Sequence, residues 1–381
     1  MWKNERNMKK VIFILGLLLV VSLSVVAQKN NYSVVGTITG YDGTYVKMHN
    51  KETNIDMDST IIANGKFHFR GHTDTAMLVV VNTADWSMNY TLLIQDGTNL
   101  SIDAATATVS GDQPSAQLNQ QIERLKALKN VQQQVARQAV RVLDEDKVMY
   151  DSLVAIYDAY TQQMKDYVDS VGWFLYEANA ENKIGGEILL NNAYVLTMGV
   201  NLYNEEPTPA IQRLLSYYAS ASPVVKNHPN LSQHMQKIAT QIQVKTGSHF
   251  RDFEAVDYTT GKPTTLGAVI AGKVAVVDFW ASWCGPCRRE IEETLKPLYV
   301  KYADSGLVVV GVDIWDKIED HDKAVKEMNI TYPQLIDIDR NNSSLLYGIS
   351  SVPRVLLIDR DGLILGYLRG EELMEAVEKA L

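Results

Sequence analysis

Cysteine is scarce in this chain: two of its 381 residues are cysteine, Cys284 and Cys287, separated by Gly285 and Pro286. A framework of several disulfides, typical of small exported domains, is therefore excluded. A single staple would close a very short loop and add little stability. A zinc site would need further ligands, and neither a second cysteine pair nor a regularly spaced histidine pair accompanies this one. Of the three interpretations, the sequence favours redox chemistry.

Basic residues are also fewer than acidic ones. The chain has 36 Lys and Arg against 45 Asp and Glu, which gives a formal net charge of −9. Binding to nucleic acid requires a Lys- and Arg-rich surface that replaces counterions on the phosphates. We therefore expect no nucleic-acid partner. Long apolar runs are missing after the first thirty residues, so no later segment is expected to cross a membrane.

The first residues read as an export signal. Basic residues precede an apolar run at residues 11–21, and the segment SLSVVAQ follows. Val25 and Ala27 suit a signal peptidase, so we predict a signal peptide at residues 1–27, cleaved before Gln28, and a location in the periplasm or cell envelope. An uncleaved anchor is the alternative, but the run is short and is interrupted by Gly16. No cysteine stands at the cleavage point, so a lipoprotein is not expected.

The rest of the chain is too long for one core, and its patterns divide it into three parts. Residues 28–112 consist of short β-branched and aromatic runs separated by turn signals such as Asn64-Gly65, which predicts a small antiparallel β-sandwich or barrel. Residues 113–246 show helical periodicity, with Leu118, Ile122 and Leu125 on one stripe. This helical region has no catalytic constellation, and spacing, docking or partner contact is all that we predict for it.

Residues 247–381 alternate between β and α patterns. The run KVAVVDFW is almost continuously apolar, which is typical of a strand buried on both faces. A second such run, GLVVVGVDIW, follows a predicted helix, and the chain ends with a hairpin and a helix. This order predicts a mixed sheet that is covered by helices on both faces.

The segment VVDFWASWCGPC closely resembles the active-site signature of thioredoxin-fold proteins, and residues 248–381 resemble the TlpA/ResA type of bacterial envelopes. The resemblance implies a thioredoxin fold, thiol–disulfide oxidoreductase activity and no cofactor. The predicted fold class is thus an α/β thioredoxin fold preceded by a small antiparallel β domain and a helical segment. The β region with its helices resembles a small N-terminal domain of unassigned function that is often fused to such domains.

The spacing of the cysteines has a chemical reason. A CxxC motif at a helix start places the first sulfur near unpaired N–H groups and the positive end of the helix dipole, which stabilise a thiolate. We therefore expect Cys284 to be the nucleophile, and Cys287, one turn further along, to resolve the mixed disulfide. Pro286 suits the first helical turn because it lacks an N–H that would be unpaired there.

Two acidic residues are predicted to assist this exchange. Asp278 lies at the place of the buried acid in thioredoxins, and burial among apolar neighbours would raise its pKa so that it could accept the proton of Cys287. A water-exposed strand end is the alternative. Glu290 lies on the helix of the cysteines, and the resemblance implies that it tunes them. A solvated first-turn glutamate explains it equally well.

The resemblance also implies a site for the client chain. Pro353 matches the family's cis-proline, and the backbone of Val352 would pair with an incoming peptide as an added strand. Trp283 is expected to form an apolar lip, with Gly285 and Pro286 beside it. Trp280 is expected to serve packing.

The sequence departs from the family pattern in one helix and shows one feature that imitates a metal site. Many relatives have a proline four or five residues after the second cysteine, whereas here Pro297 comes ten residues after it, so any helix kink should shift accordingly. The acidic residues of the segment 313–322 imitate a calcium loop, but the required Gly and terminal Glu spacing is missing. Those residues are Asp313, Asp316, Asp320 and Asp322.

The Gly-Pro spacer resembles that of thioredoxin, a reductant with a potential of about −270 mV. The hypothesis is therefore reduction of disulfides in envelope proteins, including apocytochromes before haem attachment, with electrons from a membrane donor of the DsbD/CcdA kind. Two alternatives stay open: a peroxidase on the same fold, and a binding protein whose N-terminal regions carry the main role. The sequence predicts no particular oligomeric state.

Overall fold

The structure, a computed structural model, describes residues 31–143, 145–337 and 342–381. The predicted signal peptide and its cleavage point before Gln28 lie outside these residues. No helix in the described ranges is both long enough and apolar enough to span a bilayer. The chain divides into two compact units between Gln120 and Gln121.

Within its described residues, the first unit contains eight strands: β1 (Tyr32–Thr37), β2 (Tyr45–Asn50), β3 (Asp56–Ile61), β4 (Lys66–Gly71), β5 (Met77–Thr83), β6 (Asn89–Ile94), β7 (Asn99–Asp103) and β8 (Thr108–Ser110). They form two four-stranded sheets, with the orders β4-β1-β7-β8 and β3-β2-β5-β6. Apolar side chains from both sheets share one core. The predicted sandwich is therefore confirmed, although β1 and β7 pair in parallel rather than antiparallel.

The alternating pattern of β4 shows how the sequence directs this core. Phe67 and Phe69 are buried while His68 and Arg70 point to solvent, as the strict alternation predicted. Gly36 lies opposite Phe67 in β1, where a Cβ atom would come within 2.0 Å of the phenyl ring. A glycine is needed at this position because the ring packs directly on the backbone.

Helices occupy the middle of the chain: α1 (Gln113–Val142), α2 (Lys147–Tyr167), α3 (Trp173–Ala178), α4 (Lys183–Leu196), α5 (Pro209–Ser220), α6 (Pro223–Lys226) and α7 (Pro229–Gln243). A π-helical turn, Val168–Gly172, joins α2 to α3. Proline stands at the first turn of α5, α6 and α7. Its fixed φ and missing N–H fit that position, so these helix starts were readable from the sequence.

The C-terminal part contains these strands and helices: β9 (Glu254–Asp257), β10 (Pro263–Thr265), α8 (Leu266–Ile270), β11 (Val274–Trp280), α9 (Gly285–Glu290), α10 (Lys296–Tyr302), β12 (Leu307–Asp313), α11 (Ile318–Glu327), β13 (Gln334–Asp337), α12 (Asn342–Leu346), β14 (Arg354–Ile358), β15 (Ile364–Tyr367) and α13 (Gly370–Ala380). A 3₁₀ turn, Ala303–Ser305, follows α10. The strands form one seven-stranded sheet in the order β10-β9-β13-β12-β11-β14-β15.

Strand β11 lies inside this sheet, parallel to β12 and antiparallel to β14. All seven of its residues are buried, which confirms the prediction from its apolar run. Alternate side chains enter two different cores. Val276 and Trp280 lie on the face that also holds both cysteines, here called the active-site face. Val277 and Phe279 lie on the opposite face, called the tyrosine face because Tyr203, Tyr347 and Tyr367 pack there.

The helix that carries the cysteines is irregular in its middle. A π-helical turn, Ile291–Leu295, separates α9 from α10. Pro297 occupies the first turn of α10, where its missing N–H is tolerated. The distortion therefore lies directly before Pro297, as the position of that proline predicted.

Within the second unit, residues after α4 fasten the helical region to the tyrosine face. The hydroxyl group of Tyr203 donates to the carbonyl oxygens of Tyr347 and Gly348, each at 3.0 Å. Asn204 forms two hydrogen bonds with the backbone of Tyr367, at 3.0 and 3.2 Å. The helical region thus contacts the tyrosine face through these residues, whereas α9, α10, α11 and α13 pack on the active-site face.

Candidate active site

The two cysteines lie where β11 turns into α9. Cys284 is the N-cap residue of α9, with extended backbone, and the N–H of Cys287 points at its sulfur at 3.1 Å. The two sulfurs form a disulfide, with Cα atoms 5.3 Å apart. Cys284 is 4% exposed and Cys287 is fully buried. Of the two cysteines, Cys284 is therefore the one that retains some exposure to solvent.

Hydrogen bonds hold the loop in front of the cysteines. The N–H of Cys284 donates to the carbonyl oxygen of Ala281 at 3.0 Å. The N–H of Ser282 donates to the carboxylate of Asp316, and Arg288 reaches back to the carbonyl oxygen of Ser282 at 3.4 Å. The loop is consequently fixed from both sides, which positions the sulfur that follows it.

The outer rim of the pair is open to solvent. Gly285 and Pro286 are exposed, and Trp283 is 63% exposed. The indole N–H of Trp283 donates to the carbonyl oxygen of Trp315 at 3.3 Å, which orients the ring across the surface. Trp280 is fully buried, and its indole N–H donates to Gln334 at 3.1 Å. Trp283, Gly285 and Pro286 therefore form an exposed rim around the disulfide, and Trp280 forms a buried support beneath it.

Asp278 lies under the cysteines on the active-site face. Its position in β11 is two residues before Trp280, so both side chains point to the same face. Asp278 is fully buried, and neither carboxylate oxygen has a hydrogen-bond partner among the described residues. Burial raises the pKa of Asp278 well above its ordinary value, the negative charge of Glu290 raises it further, and the charge of Arg369 opposes both.

Glu290 is fixed rather than free in solvent. Its side chain is partly buried at the end of α9, and its carboxylate accepts the N–H of Gly370 at 2.8 Å. Gly370 begins α13 with a φ of 56°, a conformation that favours glycine. Glu290 therefore bridges two helices and places its negative charge within the influence of Asp278.

The Val352–Pro353 segment lies at the same end of the sheet. Its peptide bond is cis, and both side chains are partly buried. Strand β14 starts directly after Pro353, and its first residue, Arg354, pairs with Phe279 near the end of β11. The end of β11 leads into the cysteine loop, so the Val352–Pro353 segment and the cysteine loop lie at the same end of the sheet.

Reasoning from the sequence missed three residues of this site. Tyr332 is buried on the active-site face, and its hydroxyl group has no hydrogen-bond partner within the described ranges. Burial raises the pKa of Tyr332 well above its ordinary value, and the charge of Asp278 adds to this. The positive charge of Arg369 lowers the pKa of Asp278. Gln334, the partner of Trp280, occupies the space beside Gly311, where a Cβ would lie 2.3 Å from it. In the sequence, Gly311 inside the apolar run of β12 was the one sign that a side chain packs directly on this strand.

The acidic segment after β12 is arranged differently from a calcium loop. Asp313 and Asp316 come together with His321, with ligand-type atoms within 4.8 Å of one another, and all three are buried. Asp316 accepts the N–H groups of Ser282 and Lys317, and the ring of His321 packs between Tyr258 and Trp280. These contacts support the loop before the cysteines.

Comparison with known families assigns the two ends of the chain separately. Residues 246–366 match the model of the AhpC/TSA family. Residues 32–120 match a family described as a domain of unknown function, DUF4369. The C-terminal domain is therefore similar, over residues 246–366, to the thioredoxin-like domains of the AhpC/TSA family.

Curated relatives of this domain carry thiol–disulfide names. The "Thiol-disulfide oxidoreductase ResA" of Bacillus thuringiensis subsp. konkukian is 30% identical over 111 residues, 29% of this chain and 62% of the relative. The "Thiol:disulfide interchange protein HelX" of Rhodobacter capsulatus is 30% identical over 119 residues, 31% of this chain and 65% of the relative. The chain thus spans less than two thirds of either relative. The predicted resemblance to ResA-type proteins is confirmed for the C-terminal domain.

Among solved structures, the thioredoxin domain of a thiol-disulfide oxidoreductase from Bacteroides vulgatus is 31% identical. The match covers 35% of this chain and 96% of that one, with a TM-score of 0.33.

Proposed function

We propose that this protein is a thiol–disulfide oxidoreductase that exchanges the Cys284–Cys287 pair with disulfides of client proteins. The observation that carries the proposal is a disulfide at a helix start, in which the first cysteine is slightly exposed and the second is fully buried. This asymmetry separates an attacking from a resolving cysteine. The ResA and HelX names of the relatives support the same reaction class.

The reaction consists of two exchanges. In the reduced protein the Cys284 thiolate attacks the client disulfide, which forms a mixed disulfide and releases one client thiolate. The Cys287 thiol then loses its proton and attacks the sulfur of Cys284. The intramolecular disulfide forms, the second client thiolate leaves, and two electrons have passed to the client.

Stabilisation of the Cys284 thiolate comes from the start of α9. The N–H of Cys287 points at the sulfur at 3.1 Å, and the N-terminal end of the helix adds a positive potential. Both favour the charged form of the thiol, so its pKa falls from about 8.5 towards about 7.

Asp278 is the proton acceptor for the second exchange. A carboxylate with an ordinary pKa would be a poor base for a thiol, whereas burial raises the pKa of Asp278 towards the range where it can take that proton. Glu290 acts by raising the pKa of Asp278 further. It is therefore a positioning and tuning residue.

The client chain binds across the rim. The Val352 backbone pairs with it as an added strand, Pro353 leaves the sulfur free of a competing N–H, and Trp283, Gly285 and Pro286 form the apolar contact surface. The exposure of the last three residues supports this assignment.

The setting proposed for this reaction is the periplasm or cell envelope. There the protein reduces client disulfides, apocytochromes among them, and a membrane donor of the DsbD/CcdA kind restores its thiols. The Gly-Pro spacer supports the reducing direction. Equilibration with glutathione tests it: a potential above about −150 mV would reverse the direction.

Trapping with the Cys287→Ser variant tests the reaction itself. With a disulfide-bearing peptide, the variant should accumulate an adduct on Cys284 that dithiothreitol releases, because the resolving thiol is gone. The variant that carries serine at both positions is the control and should form no adduct. Absence of the adduct in Cys287→Ser, together with consumption of hydrogen peroxide by the native protein, would assign the site to a thioredoxin-fold peroxidase instead.

A further inference from the structure

A cavity lies in the second unit, between the helical region and the tyrosine face. Its volume is about 540 Å³, and its walls come from the end of α4, residues 199–203, one side of α7 and the loop before β14. Ser350 of that loop and Arg354, the first residue of β14, stand on either side of Val352–Pro353 in the sequence. The cavity therefore adjoins the segment assigned above to clients, although Arg354 approaches it from the tyrosine face.

The charge of this cavity is opposite to that of the chain. Lys237 and Arg354 line it, together with His234, and none of the described lining residues carries a carboxylate. The chain as a whole has a net charge of −9. A cavity with only cationic charge in an acidic protein concentrates a positive potential, which attracts anions.

The side chain of Arg354 packs against an aromatic ring. Its guanidinium carbon lies 4.7 Å from the centre of the Tyr203 ring, which is itself tied to Tyr347 and Gly348. The Nε atom is buried and has no hydrogen-bond partner, and no ion pair with Arg354 occurs in the described part of the chain. A buried guanidinium donor without a partner is costly, and a bound acceptor would remove that cost.

His234 repeats this feature on the opposite wall. Its ring lies 4.5 Å from the ring of Tyr194, and its Nε2 atom is buried with no hydrogen-bond partner in the part of the chain that the structure describes. Lys237, one turn further along α7, likewise has no carboxylate partner among the described residues. Amide groups of Asn201 and Gln233 complete a polar lining that can bind the uncharged part of a ligand.

We propose that this cavity binds a carboxylate-bearing ligand, with the guanidinium group of Arg354 and the ammonium group of Lys237 as its anchors. A guanidinium fork matches the two oxygens of a carboxylate, and a lysine adds charge without demanding a fixed geometry. The carboxylate belongs either to an acidic side chain of a protein or to a free small molecule. The proposal is independent of the thiol chemistry, since no lining residue takes part in it.

Calorimetry on the purified oxidised protein tests the proposal with three probes. These are succinate, the blocked tripeptide Gly-Glu-Gly and its Gly-Gln-Gly analogue. The native protein should bind succinate, the Glu peptide or both, and should not bind the Gln peptide. Binding of the Glu peptide alone assigns the carboxylate to a protein chain, and binding of succinate alone assigns it to a small molecule.

Two variants and one control locate the binding. Arg354→Gln and Lys237→Gln should each weaken the affinity about tenfold or more, because a charge-assisted hydrogen bond is lost. Lys165→Gln makes the same charge change on α2, outside the cavity, and should leave the affinity within about twofold. Lys237 is on the helix surface, so its variant tests the cavity even if Arg354→Gln folds poorly. Equal binding of both peptides, no saturable binding of any probe, or unchanged affinity in both variants would overturn the proposal.

Discussion

Buried tyrosine hydroxyl groups differ in their hydrogen bonding between the two faces of the central sheet. On the tyrosine face, the hydroxyl groups of Tyr203, Tyr347 and Tyr367 each donate to backbone carbonyl oxygens. On the active-site face, the carboxylate of Asp278 and the hydroxyl group of Tyr332 are buried without hydrogen-bond partners. Polar groups that are satisfied hold a structure together, whereas unsatisfied ones cost stability and mark a place where chemistry is the reason for keeping them.

Among the variants that test this contrast, Asp278→Asn is expected to have the largest effect, which is on the rate of the resolving exchange. The change keeps the shape but removes the base, so the resolving exchange should slow about 100-fold or more while the first attack by Cys284 keeps its rate. Single-turnover oxidation of the reduced protein by a disulfide-bearing peptide, followed by tryptophan fluorescence, separates the two phases. Asp304→Asn, at an exposed position, is the matched control. Equal slowing of both phases would show that Asp278 serves the structure.

The pH dependence of the free energy of unfolding tests whether the pKa of Asp278 is raised in the folded protein. The folded protein holds the Asp278 proton to a higher pH than the unfolded chain does, because burial raises the pKa. Stability contributed by this group is therefore fully present below the ordinary value of 3.8 and is lost as the pH rises from there towards the raised pKa. Asp278→Asn should remove that loss.

Urea unfolding of the oxidised proteins at a series of pH values above 4 measures this. The free energy of unfolding of Asp278→Asn, relative to the native protein, should increase with pH. Parallel curves would mean that Asp278 ionises as in the unfolded chain.

A matched pair of tyrosine variants compares the faces directly. Tyr347→Phe removes a hydroxyl group that donates to the Arg251 carbonyl at 2.6 Å and accepts the Arg251 N–H at 2.9 Å. It should lower the free energy of unfolding by about 1–2 kcal/mol. Tyr332→Phe removes a hydroxyl group without partners, so its effect should stay within about 0.5 kcal/mol of zero or be stabilising. Chemical unfolding measures both free energies. An equal decrease in the two variants would show that the two hydroxyl groups contribute equally to stability, contrary to the proposed difference between the faces.

The smallest effect is expected for Glu290→Gln. Without this negative charge the pKa of Asp278 falls, so the pH profile of the resolving exchange should shift to lower pH. Glu293→Gln, at an exposed position one turn away, should leave the profile in place. A lower maximal rate without a shift of the profile would mean that Glu290 acts only through its hydrogen bond to Gly370.

Local patterns in the sequence were sufficient for some of these features. The buried strand β11 follows from its apolar run, the helix starts follow from their prolines, and the position of the π-helical turn follows from Pro297. Each of these depends on residues close together in the chain. The resemblance to the family added Asp278 and Pro353 as site residues.

Contacts between distant residues were not readable in this way. Tyr332 and Arg369 influence Asp278 from other parts of the fold, and Tyr203 and Tyr347, separated by 144 positions in the sequence, form no periodic pattern that would reveal their contact. The same holds for the parallel pairing of β1 with β7, since the chain passes through the other sheet between them. The sequence therefore did not predict which face of the sheet the helical region contacts.

The ionisation of Cys284 in the reduced protein tests the central claim most directly. Ultraviolet absorbance of the thiolate, recorded against pH in the Cys287→Ser variant, gives the pKa of this one thiol. The account predicts a pKa near about 7, because the start of α9 stabilises the anion. A pKa at or above about 8.5, the value of a free cysteine, would contradict it.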